Sequence, residues 1–488
     1  MKRNLFLFIL LQLFFLSGFA RNRFYGRLEY DTLTIGNRFI ERKFLWNQGN
    51  LITLTITDKS SDYSWINHSR TPDLMVTKEP AEPKNASCDV RRVEENAIHP
   101  EYLEIAVTCT LDDLDIKRVY RIYDNTTAIA CHTYLKGRVG HVFDGKAFNS
   151  ADMKNIEFTE DMKSRQITTV LDQINLGGKH WKMKAVAFND VTDWNNNLVF
   201  ETNVIPYRKN SYKGNLLFAH NTEKDKGIFF LKEAPCSDVQ LAYNGYDFTA
   251  EFGHFAVTGL GISEKDLKAD EWTSTYGCVI GVYGGGELNW LTSLRSYQKN
   301  LRKLLTGRDE MVMMNTWGDR SQDSKVNEKF SLMEVERAAE LGVTHFQIDD
   351  GWQVGKSPNS AVAKGSFKNI WDNPDYWKPD PQKYPNGLHP IVKRGKELGI
   401  EICLWFNPSV QHDYADWEKD AQAMIDLYNE YRIRTFQIDG LAIPTKESDI
   451  NLRKLFDRVL ETTGYNVVFN LDATAGRRAG YHLFNEYG

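Results

Sequence analysis

The sequence predicts a multi-domain β plus α/β protein, in which a large antiparallel β-sandwich precedes an incomplete (β/α)8 barrel. The chain has 488 residues, which is more than one hydrophobic core usually organises. Short β-branched and aromatic segments, separated by polar turns, fill its first half. In its second half, strand-like and helix-like segments alternate, which is typical of a parallel sheet.

The composition excludes several classes of protein. The hydrophobic fraction of 42% and the charged fraction of 26% are those of a globular chain. A net charge of −5 indicates no basic face, so we expect no nucleic-acid partner. A mean hydropathy of −0.48 excludes a polytopic membrane protein. The 12 Trp, 22 Tyr and 27 Phe could stack on sugars where they are exposed, although most such rings belong to cores.

Residues 1–20 have the pattern of a cleaved secretory signal peptide. Lys2 and Arg3 precede an almost purely apolar run over 5–16, and the small residues Gly18 and Ala20 precede the predicted cut. The run is short for a membrane span, so an uncleaved anchor is the weaker alternative. We expect an exported protein, periplasmic or extracellular, without stable membrane insertion after signal removal.

Export permits disulfides, but the cysteines do not indicate a stapled framework. No Cys-x-x-Cys pair is present, which excludes a zinc ribbon or a redox motif. Cys403 lies in the apolar run 400–406 and is predicted to be a buried free thiol. The six cysteines are Cys88, Cys109, Cys131, Cys236, Cys278 and Cys403.

The predicted β-sandwich covers 21–285, and its clearest strands are 51–57, 102–109 and 117–123. Three consecutive glycines at 284–286 close it, and a helix over 287–305 is predicted to be a connector within 286–307. In the barrel region, 308–488, the predicted strands are 311–315, 344–348, 400–406, 434–438 and 465–471. The predicted helices are 332–341, 390–398, 417–431 and 448–463, and glycines at 342 and 399 end the first two.

Polar and aromatic side chains follow these strands, where a barrel places its chemistry. The residues at or just after the strand ends are Trp317, Asp349, Asp350, Asn407, Asp439 and Asp472. A doubly wound sheet would usually carry a glycine-rich phosphate turn, which the sequence lacks. No metal-ligand spacing, His-Glu-x-x-His motif or Gly-x-Ser-x-Gly motif occurs, and we expect no metal and no cofactor. Carboxylate chemistry remains, and glycoside hydrolysis is its commonest form.

Five segments together resemble the strand motifs of α-galactosidases in glycoside hydrolase family 36 and the related family 27. They are Asn-Thr-Trp at 315–317, Phe-Gln-Ile-Asp-Asp-Gly-Trp at 346–352, Leu-Trp at 404–405, Phe-Gln-Ile-Asp-Gly at 436–440 and Asp-Ala-Thr-Ala-Gly-Arg-Arg at 472–478. A large β-sandwich before the barrel also fits family 36.

This resemblance implies a retaining enzyme with Asp439 as nucleophile. Asp349 and Asp350 would bind the O4 and O6 hydroxyls of a galactose-like ring, and Arg478 would orient the substrate or the carboxylates. The substrate-binding residues it implies are Asp349, Asp350, Trp352, Trp317, Trp405, Gln437, Asp472 and Arg478. The implied partner is an oligosaccharide or polysaccharide, and the sequence does not indicate an oligomeric state.

Some residues depart from the family pattern. Gln437 stands where the family has Lys, and Asp472 stands where it has Cys, so the exact sugar stays open. α-N-Acetylgalactosaminidase, a related transglycosidase and a non-catalytic carbohydrate-binding protein are the alternatives. Asp472 could contact a hydroxyl or the amino group of a different sugar.

The family's acid/base aspartate lies beyond the last motif, whereas only ten residues follow Arg478 here. Glu486 is the carboxylate near that end, and we do not assign it the acid role. A barrel of this type has about 250 residues, and only 178 are present from Met311 onward. We therefore expect the 488 residues to be C-terminally incomplete, without turnover when expressed alone, and poorly folded in their second half.

Overall fold

The computed structural model describes residues 23–76, 81–138, 169–191, 196–242, 246–319 and 321–488. The predicted signal peptide, 1–20, lies outside the described residues. No helix in these ranges is long and apolar enough to cross a membrane.

Three antiparallel sheets form the first half, which confirms the predicted β-rich region. The five-stranded sheet contains β1 (Phe24–Glu29), β2 (Thr32–Asn37), β3 (Ile40–Leu45), β4 (Ile52–Asp58) and β5 (Tyr63–Ile66). The four-stranded sheet contains β10 (Val170–Asn175), β17 (His254–Thr258), β16 (Phe248–Glu251) and β13 (Asn210–Tyr212). The ten-stranded sheet contains β12 (Val199–Val204), β11 (Trp181–Phe188), β14 (Leu216–Asn221), β15 (Lys226–Glu233), β19 (Gly277–Gly284), β9 (Ala128–Gly137), β8 (Leu114–Tyr123), β7 (Tyr102–Leu111) and β6 (Pro83–Val93), with β18 (Thr273–Ser274) paired to β9.

A buried ion group joins two of these sheets inside the sandwich core. Arg42 of β3 contacts Asp172 of β10 at 2.7 Å and Asp73 at 2.9 Å. The three side chains are almost inaccessible to water, so each charge depends on its partners for stabilisation. This group fixes the five-stranded sheet against the four-stranded sheet.

Helix α1 (Glu287–Leu301) begins after the three glycines, as predicted, and ends four residues earlier than the sequence suggested. It packs on the ten-stranded sheet, where the rings of Trp290 and Phe218 lie 4.8 Å apart. The hydroxyl of Tyr297 donates to Glu233 Oε1 at 2.7 Å. The predicted connector is therefore a packed part of the sandwich half.

The second half contains five parallel strands in consecutive order, which is the order of a barrel rather than of a doubly wound sheet. The strands are β20 (Met313–Asn315), β21 (His345–Ile348), β22 (Glu401–Phe406), β23 (Thr435–Ile438) and β24 (Val468–Leu471). The helices are α2 (Glu328–Leu341), α3 (His389–Leu398), α4 (Trp417–Tyr431) and α5 (Lys446–Thr462). Short 3-10 helices occur at Asn47–Gly49, Ser237–Val239, Glu264–Asp266, Thr316–Asp319, Ile370–Asp372 and Gln411–Asp413. Among the described residues β20 and β24 each pair with one strand, so the sheet is open.

Local capping sets the helix ends in this half. Asn327 caps α2, since its side chain accepts from the N–H of Phe330, and the helix begins four residues before the predicted start. Gly342 and Gly399 end α2 and α3 with φ of +72° and +76°, a left-handed conformation that favours glycine. Both predicted glycine caps are confirmed.

The second half has its own packed core. Phe346, Ile348 and Phe436 are fully buried beneath the helices. The segment after β24 adds Phe484 and Tyr487, whose rings lie 5.7 Å and 5.2 Å from that of Phe456 in α5. This segment covers apolar surface that five strands and four helices would otherwise expose.

The described cysteines are all free thiols. Cys403 is completely buried in β22, as predicted, and burial raises the pKa of its thiol.

Asp420 in α4 is the buried acidic residue from which we expect a pH-dependent stability. Its carboxylate is completely buried and accepts from the N–H of Ser409 at 2.8 Å and the indole N–H of Trp371 at 3.0 Å. Burial nevertheless raises the pKa of Asp420 to about 7.

We predict that the free energy of unfolding falls as pH rises from about 4 to about 7, by up to roughly 4 kcal/mol from this group. The reason is that folded Asp420 keeps its proton across this window, whereas the unfolded side chain releases it near pH 4. Urea unfolding at pH 5 and pH 8 measures the difference. Asp420→Asn should remove most of it and the exposed Asp426→Asn should not; an equal pH difference in both variants would refute the assignment.

Candidate active site

The register of the parallel strands brings the predicted site residues to one edge of the sheet. Trp405 pairs with Gln437, and Gln437 pairs with Asn470. Because side chains alternate along a strand, Trp405 and Gln437 share one face of the sheet, while Phe406 and Ile438 face the helices.

Asp439 lies directly after β23, and both of its carboxylate oxygens accept hydrogen bonds. Oδ1 accepts from the N–H of Gly440 at 2.6 Å and contacts Arg478 Nη2 at 3.0 Å. Oδ2 accepts from the indole N–H of Trp405 at 3.1 Å. The side chain remains 22% exposed, so the carboxylate is oriented by its donors and still open to a ligand.

Gly440 is required at the turn after Asp439. Its φ is +65°, and a Cβ at this position would come within 2.4 Å of Asn407 Oδ1. The buried Tyr414 fixes the same turn, since its hydroxyl lies 2.8 Å from the carbonyl oxygens of both Gly440 and Ala442.

Arg478 lies between two carboxylates. One guanidinium nitrogen contacts Asp439, and another pairs closely with Asp472, which follows β24. A backbone bridge between Ala442 and Arg478 holds the arginine beside the turn after β23. Burial, together with the nearby charge of Asp439, raises the pKa of Asp472, and Arg478 opposes that rise.

Asp349 and Asp350 lie together after β21, but both are buried and hydrogen-bonded within the protein. Asp349 Oδ2 accepts from Asn315 at 2.9 Å and from Gln347 at 3.0 Å. Asp350 accepts from Gln353 at 2.8 Å and closely from the hydroxyl of Ser357.

Burial raises the pKa of both carboxyls. The contacts of Asp350 hold the long loop between β21 and α3. Asp349 contacts residues of β20 and β21 and therefore lies closer to the sheet face than Asp350 does.

The three predicted tryptophans occupy different positions. Trp317 is partly exposed, and its backbone N–H donates to Asn315 Oδ1 at 2.8 Å. Trp405 is buried, with its indole N–H on Asp439. Trp352 has no exposed surface and donates to the carbonyl oxygen of Trp405 at 2.9 Å. Trp352 thus supports Trp405 from behind instead of lining a pocket, because the loop after β21 folds over it.

Gln347 is a residue that the sequence reasoning missed. Its Nε2 donates to Asp349 Oδ2 at 3.0 Å and also lies close to Gln437 Oε1, while its own Oε1 is buried without a hydrogen-bond partner. Gln347 therefore links the segment after β21 to β23. The sequence contains a signal for this residue, because Phe-Gln-Ile-Asp occurs at both 346–349 and 436–439. Only the glutamine of the second segment, Gln437, was predicted as a site residue.

Glu486 lies away from this group and accepts from Arg453 of α5 at 2.7 Å. The described residues contain no group of His, Cys, Asp and Glu side chains able to hold a metal ion.

Residues 275–463 match the melibiase family model. A 160-residue stretch is 37% identical to an α-galactosidase of Escherichia coli, covering 31% of this chain and 20% of that enzyme. An alignment of 160 residues with a probable α-galactosidase C of Aspergillus terreus shows 30% identity and covers 29% of this chain and 20% of that enzyme. These matches therefore span about a fifth of the length of the curated relatives.

Solved structures share the fold at low identity. The galactosidase domain of AgaSK, an α-galactosidase–sucrose kinase, has a TM-score of 0.60 at 11% identity, covering 95% of this chain and 74% of that chain. The family 36 α-galactosidase AgaB of Geobacillus stearothermophilus has a TM-score of 0.59 at 12% identity, covering 95% and 74%. A variant of AgaA from that organism was solved with raffinose, with a TM-score of 0.56 at 12% identity, covering 94% and 74%. The sequence-based resemblance and the predicted fold class are confirmed.

We predict that Arg478→Met lowers the free energy of unfolding at pH 7 by about 1–2 kcal/mol, since it leaves two neighbouring carboxylates without their shared cation. The loss of unfolding free energy should be smaller at pH 4, because burial raises the pKa of Asp472 and its protonation relieves the repulsion. Urea unfolding at the two pH values measures it, with Arg477→Met as the matched control. A loss of equal size at both pH values would show that Arg478 acts through packing instead.

Proposed function

We propose that this chain, a relative of the family 36 α-galactosidases, is a retaining glycoside hydrolase that acts on α-galactosides in oligo- or polysaccharides. The observation that carries the proposal is the Asp439 carboxylate, partly exposed at a strand end and held by Trp405, Gly440 and Arg478. Raffinose in the AgaA complex supports an oligosaccharide substrate of that kind.

Asp439 has the geometry of a glycosidase nucleophile. Arg478 and the two N–H donors hold both carboxylate oxygens and limit the rotation of the side chain. Attack by one of its oxygens on the anomeric carbon would displace the leaving group and form a covalent glycosyl ester, which water then hydrolyses. Two displacements on opposite faces return the original anomeric configuration.

Asp349 and Trp317 are the residues we assign to the sugar itself. Asp349 lies on the strand-end side of the sheet beside Asn315, and its carboxylate can accept hydroxyl protons if one internal donor is released. Trp317 offers a partly exposed ring next to the same asparagine. Asp350 is assigned to holding the loop that positions Asp349.

Asp472 is not suited to the acid role. A retaining enzyme needs a protonated second carboxyl as its acid, whereas Asp472 pairs closely with the cation Arg478, which also contacts Asp439 and favours the charged form of Asp472. We assign Asp472 to a sugar hydroxyl, or to the amino group of an α-galactosaminide, beside the anomeric centre. The acid/base residue stays unassigned.

We also infer export, from the signal-peptide pattern of 1–20.

Cleavage of ordinary α-galactosides needs the acid that is unassigned here, but we predict that the protein releases fluoride from α-D-galactosyl fluoride, and that Asp439→Asn reduces the rate by at least about a thousandfold. Fluoride departs without a proton from a carboxyl, so this substrate tests the nucleophile independently of any general acid. Azide should partly restore the rate in Asp439→Asn by attacking in place of the carboxylate.

The exposed Asp270→Asn is the control and should behave as the unmodified protein. Near-normal fluoride release by Asp439→Asn would remove Asp439 from the nucleophilic role.

We further predict that α-D-galactosyl fluoride outperforms its epimer α-D-glucosyl fluoride by about tenfold or more in kcat/KM. The buried Asp349 selects the axial O4, and losing one such polar contact costs about 1–3 kcal/mol. Asp349→Ala should bring the two values of kcat/KM closer together. Equal rates on the two epimers would point to a glucosidase.

A further inference from the structure

A second enclosed site lies between the ten-stranded sheet and the parallel half. This interdomain cavity has a volume of about 410 Å³, which is the size of a small-molecule pocket. It is lined by β7, β8, β9, α5 and the segment after β24, and none of Asp439, Asp472 and Arg478 belongs to its wall. It is therefore distinct from the candidate active site.

Strand alternation explains why a polar cavity forms here. Along β8, Tyr120 and Ile122 face the sandwich core, so Arg121 and Tyr123 point to the opposite face. The parallel half covers that opposite face and encloses a layer of polar and aromatic side chains.

Five tyrosines contribute to the wall: Tyr102, Tyr123, Tyr134, Tyr276 and Tyr487. Aromatic faces combined with hydrogen-bonding groups suit the ring of a small sugar.

Most charged groups of the wall are already partnered. Glu233 accepts from Tyr297 at 2.7 Å and lies 2.8 Å from His132 Nε2. Arg453 donates to Asp449 at 2.9 Å and to Glu486 at 2.7 Å. These contacts occupy Glu233, Asp449, Arg453 and Glu486 within the wall itself.

Arg121 differs from these charged groups because its Nε has no hydrogen-bond partner. Glu104 Oε2 lies 3.9 Å from its Nε, beyond hydrogen-bond distance, and Glu104 is already bound by Arg91 at 2.5 Å. Arg121 Nε is buried without a hydrogen-bond partner, while 27% of the side chain is accessible. Within the described residues, Arg121 is thus a guanidinium on the cavity wall whose Nε–H has no hydrogen-bond acceptor.

We propose that the interdomain cavity binds a monosaccharide-sized sugar acid, whose carboxylate pairs with Arg121 and whose ring lies against the tyrosines. A guanidinium matches a carboxylate through two parallel hydrogen bonds, and such charge-assisted contacts are the strong ones. The buried His482 adds no competing charge, since burial lowers its pKa to about 4.

Isothermal titration with D-galacturonate and D-galactose tests the proposal, because the two sugars differ only at C6. We expect saturable binding of galacturonate that Arg121→Gln weakens at least about tenfold, that Arg121→Lys weakens less, and that the exposed Arg295→Gln leaves unchanged. Asp439→Asn should leave this binding intact, which separates it from a galactose site in the barrel.

Inorganic phosphate is the third ligand, and weaker binding than that of galacturonate is expected. The proposal is overturned if galacturonate does not bind the unmodified chain, or if Arg121→Gln, shown folded by its melting curve, binds it equally well. Phosphate binding as tight as that of galacturonate would also overturn it, since the cavity would then recognise any oxyanion. If Arg121→Gln does not fold, the proposal is tested by the affinities of the unmodified chain for the three ligands. Galacturonate must then bind more tightly than both galactose and phosphate.

Discussion

The pairing of one arginine with two strand-end carboxylates is the interaction on which the candidate active site depends. Parallel strands end at a common edge, and this places Asp439 and Asp472 side by side on neighbouring strands. Two such charges in a partly buried position repel each other unless a cation neutralises them. Arg478 supplies that cation, and the backbone bridge to Ala442 keeps it in place.

Other side chains of the parallel half hold the residues around Asp439 and Asp349 in position. Trp352 holds Trp405 by its backbone, and the indole of Trp405 in turn donates to Asp439. Gln347 links Asp349 to Gln437, so the two Phe-Gln-Ile-Asp segments are connected by side-chain amides. A neutral glutamine at 437 gives neither the charge nor the reach of a lysine, and the positive charge beside Asp439 comes from Arg478 instead.

Local patterns allowed the fold and the strand-end residues to be predicted from the sequence. Helix α4 has the predicted bounds, and the glycine caps at 342 and 399 are where backbone sterics require them. The sequence could not show that Trp352 is buried, because its environment is created by a loop of about forty residues that contains little regular structure. Nor could it show that Arg121 faces an interdomain cavity, since β8 and α5 lie far apart in the chain. Whether a strand-end residue contacts a ligand or the protein depends on such long-range packing.

Covalent trapping of the nucleophile tests the central claim most directly. 5-Fluoro-α-D-galactosyl fluoride slows hydrolysis of the glycosyl ester, because the added fluorine destabilises the electron-poor transition state while the leaving fluoride still departs. Mass spectrometry of the digested protein should find one sugar on the peptide that contains Asp439, and none in Asp439→Asn. A sugar attached to Asp472, Asp349 or any other carboxylate would contradict the assignment.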